Sequence, residues 1–275
     1  MITFLVFLLC LSDSGVVIVD GVLFYGDDHK MRCFNTGDVV EIVEQIEDTV
    51  IVKRDSAVGP ILNDVIVNFK EIIAEEHLFV FARGYFDEGE YKKSAKLLNL
   101  FIKNFDGSRY CAEALYYYGL SREELAGSFD KSDSTPEFLF NEKYNIWYYP
   151  GEAYMEILER FSESTYASKA VYRLINIFRM RNLPWNDSVQ LIQEELRMWQ
   201  DFDSKYKNTD EYVLVLLEIG YINRVLFEIT EDLDYRTDAV KIFQEIFDTY
   251  PNSIYSAQSR LNLHEIKNGK NIYKY

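Results

Sequence analysis

From about residue 68 to the C-terminus, apolar residues recur every three or four positions, with one interruption at residues 127–150. This period is that of amphipathic helices, each with one face turned to a core. Cap and turn residues, such as Gly89 between two apolar stretches, divide the region. We predict nine helices, four pairs and a capping helix, over residues 75–87, 90–105, 109–126, 151–161, 165–181, 187–205, 210–230, 235–250 and 254–267.

Residues 15–66 show a different pattern. Their apolar residues are β-branched and follow a period of two, as at 39–43 and 49–53, with short polar turns between the runs. Five short strands of this kind predict a small β-barrel. The predicted fold class is therefore mostly α: a barrel at residues 15–66, then a helical repeat domain at residues 67–275 with an insertion at 127–150.

A short sequence motif recurs at the junctions between predicted helices. In each copy an aromatic residue is followed three positions later by Ser or Thr, and then by a Tyr that opens the next helix. The copies begin at Phe105, Phe161, Tyr206 and Tyr250, at intervals of 56, 45 and 44 residues. Such recurrence is typical of repeat arrays, which mostly bind partners. We expect the opening tyrosines to be largely buried; they include Tyr110, Tyr166 and Tyr255.

The helical region resembles tetratricopeptide repeats. The first pair matches the family's small and large positions at Ala82, Tyr85, Gly89, Tyr91, Ser94 and Leu98, and the last pair at Ala239, Phe243, Ile246 and Pro251. The junction at residues 250–257 is similar to those of envelope tetratricopeptide proteins of the Tol-Pal coordinator and outer-membrane assembly lipoprotein type. The resemblance covers most of residues 75–267. It implies an α-α solenoid whose first helices line a concave groove.

The predicted barrel resembles a bacterial SH3-like domain in the order of three short sequence segments, at residues 37–43, 49–54 and 59–62. Pro60 stands where that family usually has Trp, and no Trp occurs in this segment. A groove lined by that ring is therefore not expected. The resemblance favours a structural or docking barrel over a ligand-binding one.

The first 14 residues have the features of a secretory signal. Residues 1–11 form an apolar run too short to span a bilayer as a helix, and small residues follow it. We predict a signal peptide at residues 1–14, cleaved before Gly15, and export to the periplasm or outer membrane. No Lys or Arg precedes the run, and the alternative is that these residues belong to the mature fold. Lipidation of Cys10 would add membrane association, although Leu9 is larger than the usual preceding residue.

Charge and motif content argue against several functions. The formal net charge of −16 argues against nucleic-acid binding, which needs a basic surface. The three Cys and three His have no metal-ligand spacing, and no hydrolase, phosphate-loop or zinc-protease motif occurs. Acidic pairs such as residues 194–195 are interpreted as solvated faces. We therefore predict no catalytic residue, metal or other cofactor.

One predicted helix carries a row of polar residues suited to binding. Its members, spaced by four, three and three positions, are Lys169, Arg173, Asn176 and Arg179. This spacing places them on one helix face. By resemblance to peptide-binding tetratricopeptide grooves, such residues hold a partner's carboxylate, and Arg83, Tyr116 and Leu120 would lie on matching faces of preceding helices. The alternative is a merely solvated face.

The insertion contains six aromatic residues, among them Tyr144 and Trp147. They either pack against the helices or form an exposed ledge, in which case Trp147 is a further partner contact.

The sequence thus favours a non-enzymatic exported scaffold that binds a protein or peptide of the bacterial cell envelope through the concave face of its helices. One alternative is a peptidoglycan-binding module with the helices as a spacer. Another is an accessory subunit of an envelope enzyme or assembly complex.

Overall fold

The computed structural model describes residues 13–20, 22–25, 27, 30–54, 57–68, 74–129, 136–182 and 188–272. Contacts divide the chain into two compact units, residues 1–128 and 129–275. The predicted boundary between residues 66 and 67 falls inside the first unit, within a strand at Ile66–Asn68, and the first helix begins at Ala74. The predicted signal peptide lies outside the described residues except for Asp13 and Ser14, and Cys10 is also outside them.

The first unit begins with seven strands in its described part. They are β1 (Asp13–Val17), β2 (Val22–Tyr25), β3 (Met31–Phe34), β4 (Val39–Ile46), β5 (Thr49–Arg54), β6 (Ala57–Leu62) and β7 (Ile66–Asn68). Five of them form an antiparallel sheet in the order β6-β5-β4-β1-β7, and β2 and β3 form a separate hairpin.

The sheet does not close into the predicted barrel within the described residues, because β6 and β7 remain its two edges. The hairpin instead packs against the sheet as a second layer. It contributes Phe24 and Phe34, both fully buried with ring centroids 5.3 Å apart, to a core that includes Val17 and Val52. The alternating pattern predicted strands, but it carries no information about which edges pair.

Three helices complete the first unit: α1 (Ala74–Asp87), α2 (Tyr91–Asn104) and α3 (Cys111–Ala126). Each packs against the next. Gly89 allows the tight turn between α1 and α2, since its φ of +79° is strained for residues with a side chain. Polar contacts also join the strand region to the helices, because Tyr85 donates to the carbonyl of Ile18 at 2.7 Å and Lys93 pairs with Asp20 at 2.9 Å.

The second unit contains a short hairpin and six helices. These are β8 (Leu139–Asn141), β9 (Ile146–Tyr148), α4 (Glu152–Arg160), α5 (Tyr166–Asn182), α6 (Val189–Lys205), α7 (Tyr212–Thr230), α8 (Leu233–Thr249) and α9 (Ile254–Lys267). Each of these helices packs against the next. Gly220 allows α7 and α8 to approach closely, since a Cβ there would lie 2.6 Å from the ring of Phe243.

The prediction of a mostly helical chain with nine helices is confirmed for the described residues. None of these helices combines the length and the apolar character that crossing a membrane requires.

The repeated sequence motif forms the same turn between two helices, here called a corner, four times. At the α6–α7 corner, the N–H of Tyr206 donates to Phe202 O at 2.9 Å, that of Thr209 to Tyr206 O at 3.3 Å, and that of Tyr212 to Thr209 O at 3.1 Å. The other three corners repeat this ladder. The four aromatic residues share φ between −124° and −135° and ψ between 38° and 52°. The motif therefore specifies one backbone geometry.

The residue that anchors each corner lies four positions before the aromatic residue. The four anchors are almost fully buried: Phe101, Ile157, Phe202 and Ile246. The opening tyrosines Tyr110, Tyr166 and Tyr255 are mostly buried, as expected, although they are less enclosed than the four anchors. They lie at or beside the first residue of a helix, where part of the ring faces solvent.

The aromatic insertion packs within the second unit. Phe138, Tyr148 and Tyr149 are buried, whereas Tyr144 is 46% exposed. The Asn141 amide donates to carbonyls at the end of α5, and Tyr149 OH accepts from the N–H of Ala153 at the start of α4. The hairpin thus supports two helix ends rather than forming a ledge of six exposed rings.

Candidate partner-binding site

A cavity of about 420 Å³ lies between α5, α6, α7 and α9 in the second unit. Four aliphatic side chains line it: Ile192, Ile222, Val225 and Ile272. The polar lining consists of Arg179, Glu195, Glu218, Tyr221 and Gln258. A mostly apolar concavity with a few polar groups is the usual composition of a protein ligand site.

Helical spacing brings these residues together. On α7, Glu218, Ile222 and Val225 are separated by four and three positions, which places them on one face. On α6, Ile192 and Glu195 are three positions apart and face the same way. The cavity is therefore built from faces of neighbouring helices rather than from a loop.

Arg179 links the two carboxylates of the cavity. Its Nε donates to Glu195 Oε1 at 2.6 Å, and its Nη2 donates to Glu218 Oε2 at 2.7 Å. Trp199 Nε1 donates to the same Glu195 oxygen at 3.1 Å. Burial by itself would lower the pKa of the Arg179 guanidinium, but the charges of Glu218 and Glu195 raise that pKa above its ordinary value. The guanidinium therefore stays charged.

These hydrogen bonds do not use both oxygens of either carboxylate. Glu195 is only 1% exposed, yet all its hydrogen bonds within the described chain reach Oε1. Glu218 likewise bonds through Oε2 within that part of the chain. One cation and two carboxylates give the cluster a formal charge of −1. Two carboxylate oxygens of the cavity, Glu195 Oε2 and Glu218 Oε1, thus accept no hydrogen bond from the described residues.

A second buried cluster positions the end of the cavity. Arg224, 1% exposed, donates to Asn262 Oδ1 at 2.6 Å and to the carbonyl of Lys270 at 2.7 Å. Glu228 pairs with Arg224 and accepts from the backbone N–H of Ile272 at 2.8 Å. These bonds hold residues 270–272 against α7, so that Ile272 forms part of the apolar lining.

On another wall, Gln258 Nε2 donates to Tyr221 OH at 2.6 Å. The Tyr221 ring meets Phe243 edge-on, with centroids 5.8 Å apart. Gln258 itself is exposed.

The structure separates the predicted row on α5. Arg179 lines the cavity, and the Asn176 amide donates to the carbonyl of Tyr172 on its own helix at 2.8 Å. Lys169 lies 5.5 Å from the Tyr166 ring and lines a different hollow beside Thr209. Arg173 is half-buried on the same helix. Arg179 and Lys169 thus line different concavities.

The other predicted site residues lie elsewhere. Arg83 belongs to the first unit, where its guanidinium covers the Tyr117 ring at 3.7 Å from the centroid and pairs with Asp87. Tyr116 and Leu120, on α3, are half-buried. Trp147, in the second unit, is half-buried and packs against Phe140 with centroids 5.0 Å apart.

Sequence reasoning missed the acidic side of the cavity. The interpretation of residues 194–195 as a solvated face is correct for Glu194, which is exposed, and wrong for Glu195. The signal was its spacing, since Glu195 lies three positions after Ile192 and four before Trp199, on the apolar face of α6. Glu218, Tyr221 and Gln258 gave no comparable signal.

No protein-family model matches the chain, and no curated protein is significantly similar to it in sequence. In the described ranges, no cluster of His, Cys, Asp and Glu side chains is placed to hold a metal ion.

Proposed function

We propose that the protein is a non-enzymatic scaffold that binds a segment of a partner protein in the cavity between α5, α6, α7 and α9. The observation that carries this proposal is the combination of an aliphatic lining with a polar cluster on one side. A volume of about 420 Å³ is near the lower end of the usual ligand-site range. It suits one or two side chains of an extended peptide.

The proposal includes a tetratricopeptide-like solenoid. The four equivalent corners support it, because a recurring joint is what a repeat array requires. Two of the helices around the cavity, α5 and α7, are the predicted first helices of their pairs, and such helices line the groove in that family; α9 is the predicted capping helix. For the first unit, we propose that the sheet and hairpin are an open relative of SH3-like domains.

We further propose export to a bacterial cell envelope, on the basis of the apolar run at residues 1–11. Cleavage before Gly15 would remove two residues of β1. The pairs of Gly15 with Val40 and of Val16 with Val39 would remain, as would the pairing with β7. The order of the sheet is therefore compatible with this cleavage.

Selection from a library of random linear peptides tests the binding proposal. Gln258→Trp should fill the cavity entrance from an exposed position without disturbing the core. Gln244→Trp is the matched control, because Gln244 is exposed on α8 and does not line the cavity. We expect wild type and Gln244→Trp to enrich the same peptides and Gln258→Trp to lose them. No enrichment by wild type, or equal enrichment by Gln258→Trp, would contradict the proposal.

A further inference from the structure

We propose that the cavity accepts a lysine or arginine side chain of the partner, with its aliphatic stem on the isoleucine and valine lining and its charged end at Glu195 and Glu218. This inference rests on the proposed function and specifies the partner's chemistry. It differs in sign from the sequence-based expectation that this helix face holds a carboxylate.

The charge of the cluster is the first reason. Arg179 already contacts two carboxylates, so its attraction for a third is offset by repulsion from both. A formal charge of −1 in a largely buried site is instead complementary to a cation. Weak screening inside a cavity strengthens this preference.

The hydrogen-bonding capacity of Glu195 is the second reason. This side chain is almost fully buried, and its Oε1 already accepts bonds from Arg179 and Trp199. No donor from the described residues bonds to Oε2, and this oxygen is not fully enclosed, so it lies at the cavity surface where an entering group can reach it. Ammonium and guanidinium groups donate several hydrogen bonds and accept none, which suits such an acceptor.

The aliphatic lining is the third reason. Lysine and arginine carry three or four methylene groups before the charge, and these stems pack on apolar surface while the charged end reaches a polar group. Ile192 and Ile222 provide such a surface beside the two carboxylates. A short polar ligand would leave this lining uncovered.

Trp199 provides a local reporter, because its indole N–H is bonded to Glu195. Its resonance in a nitrogen–proton NMR spectrum can be assigned by replacing the other two tryptophans, Trp147 and Trp185, in turn. The probes are the Nα-acetyl N-methylamides of lysine, arginine, norleucine and glutamate. Norleucine keeps the apolar stem and lacks the charge.

We expect the lysine and arginine probes to shift the Trp199 resonance. The norleucine probe should bind roughly tenfold more weakly, a difference of about 1.4 kcal/mol, and the glutamate probe should cause no shift. Glu218→Gln should reduce lysine binding by a similar factor and leave norleucine binding unchanged. Glu218 is suited to this test because it is less buried than Glu195 and folding is at less risk. Glu194→Gln, which removes an exposed charge on α6, is the control.

The outcomes separate this inference from the proposed function. Norleucine binding equal to lysine binding, or unchanged lysine binding in Glu218→Gln, overturns the cation inference and leaves peptide binding intact. Enrichment of library peptides without any response of Trp199 to the lysine and arginine probes also overturns it. Failure of wild type to enrich any peptide contradicts the proposed function itself.

Discussion

Asp20 and Lys93 show how single side chains attach the strand region of the first unit to its helices. Asp20 accepts one hydrogen bond from Lys93 on α2 and another from the backbone N–H of Thr36 at 2.9 Å. The hydrogen bond from Lys93 and then that from Thr36 lower the pKa of the Asp20 carboxyl to about 2. The carboxylate form is therefore favoured by the fold.

This shift predicts a specific acid sensitivity. A carboxyl whose pKa is lower in the folded state than in the unfolded state stabilises the fold above the unfolded value, and the stabilisation disappears as pH falls through the folded value. For Asp20 the window runs from 3.8 down to about 2. Asp20→Asn should lower the free energy of unfolding at pH 7, and the difference from wild type should shrink toward zero by pH 2. Chemical denaturation across this range provides the measurement.

Asp48→Asn is the control for that experiment, because Asp48 is exposed in the turn between β4 and β5. Its stability should parallel that of wild type throughout. A difference between Asp20→Asn and wild type that stays constant from pH 7 to pH 2 would contradict the assigned role of Asp20.

Individual residues also show what could be predicted from sequence. Gly89 and the repeated motif determine where helices end through residues only a few positions away in the chain. The helix boundaries could therefore be predicted closely. The burial of Glu195 could have been predicted from its spacing to Ile192 and Trp199. Its pairing with Arg179, which also bonds to Glu218, could not, because those contacts depend on how three helices pack. The open sheet was missed for the same reason, since pairing of distant edges leaves no local pattern.

At the scale of elements, the helix corners are held by both a backbone ladder and a buried anchor. Phe202 is 1% exposed and belongs to the core formed by α5, α6 and α7. Its carbonyl also accepts the bond that closes α6. The same position therefore stabilises the helix end and the packing between helices.

Two substitutions distinguish the anchor from the opening tyrosine. Phe202→Ala should destabilise the protein by about 3–5 kcal/mol, the range for removing a buried aromatic ring. Tyr166→Ala should cost less, because Tyr166 keeps partial exposure at the start of α5 whereas Phe202 is almost fully enclosed. Urea denaturation of both variants measures the difference. Equal losses would show that the anchor has no special role.

At the scale of the molecule, the excess of acidic residues agrees with a cationic partner. A formal net charge of −16 gives long-range attraction to basic segments and accelerates their association at low salt. The cavity would then select among the attracted segments by its shape and its two carboxylates. Attraction and selection are thus assigned to different parts of the protein.

All described residues that line the cavity belong to residues 129–275. We expect this unit, produced alone, to unfold cooperatively and to enrich the same library peptides as the whole chain. Circular dichroism during heating and repeated selection measure the two properties. A folded fragment that enriches different peptides would show that the first unit contributes to recognition.

The repeated corner has a consequence for how such a chain can change in evolution. Each corner is closed by bonds between residues only three or four positions apart, so it does not depend on distant parts of the chain. Duplication of one 44- or 45-residue interval would therefore insert a helix pair with a corner already suited to both neighbours. The 56-residue interval, which carries the β8–β9 hairpin, shows that a unit of different length is also accommodated. A gene built in this way can lengthen its product by whole units while the existing corners stay unchanged.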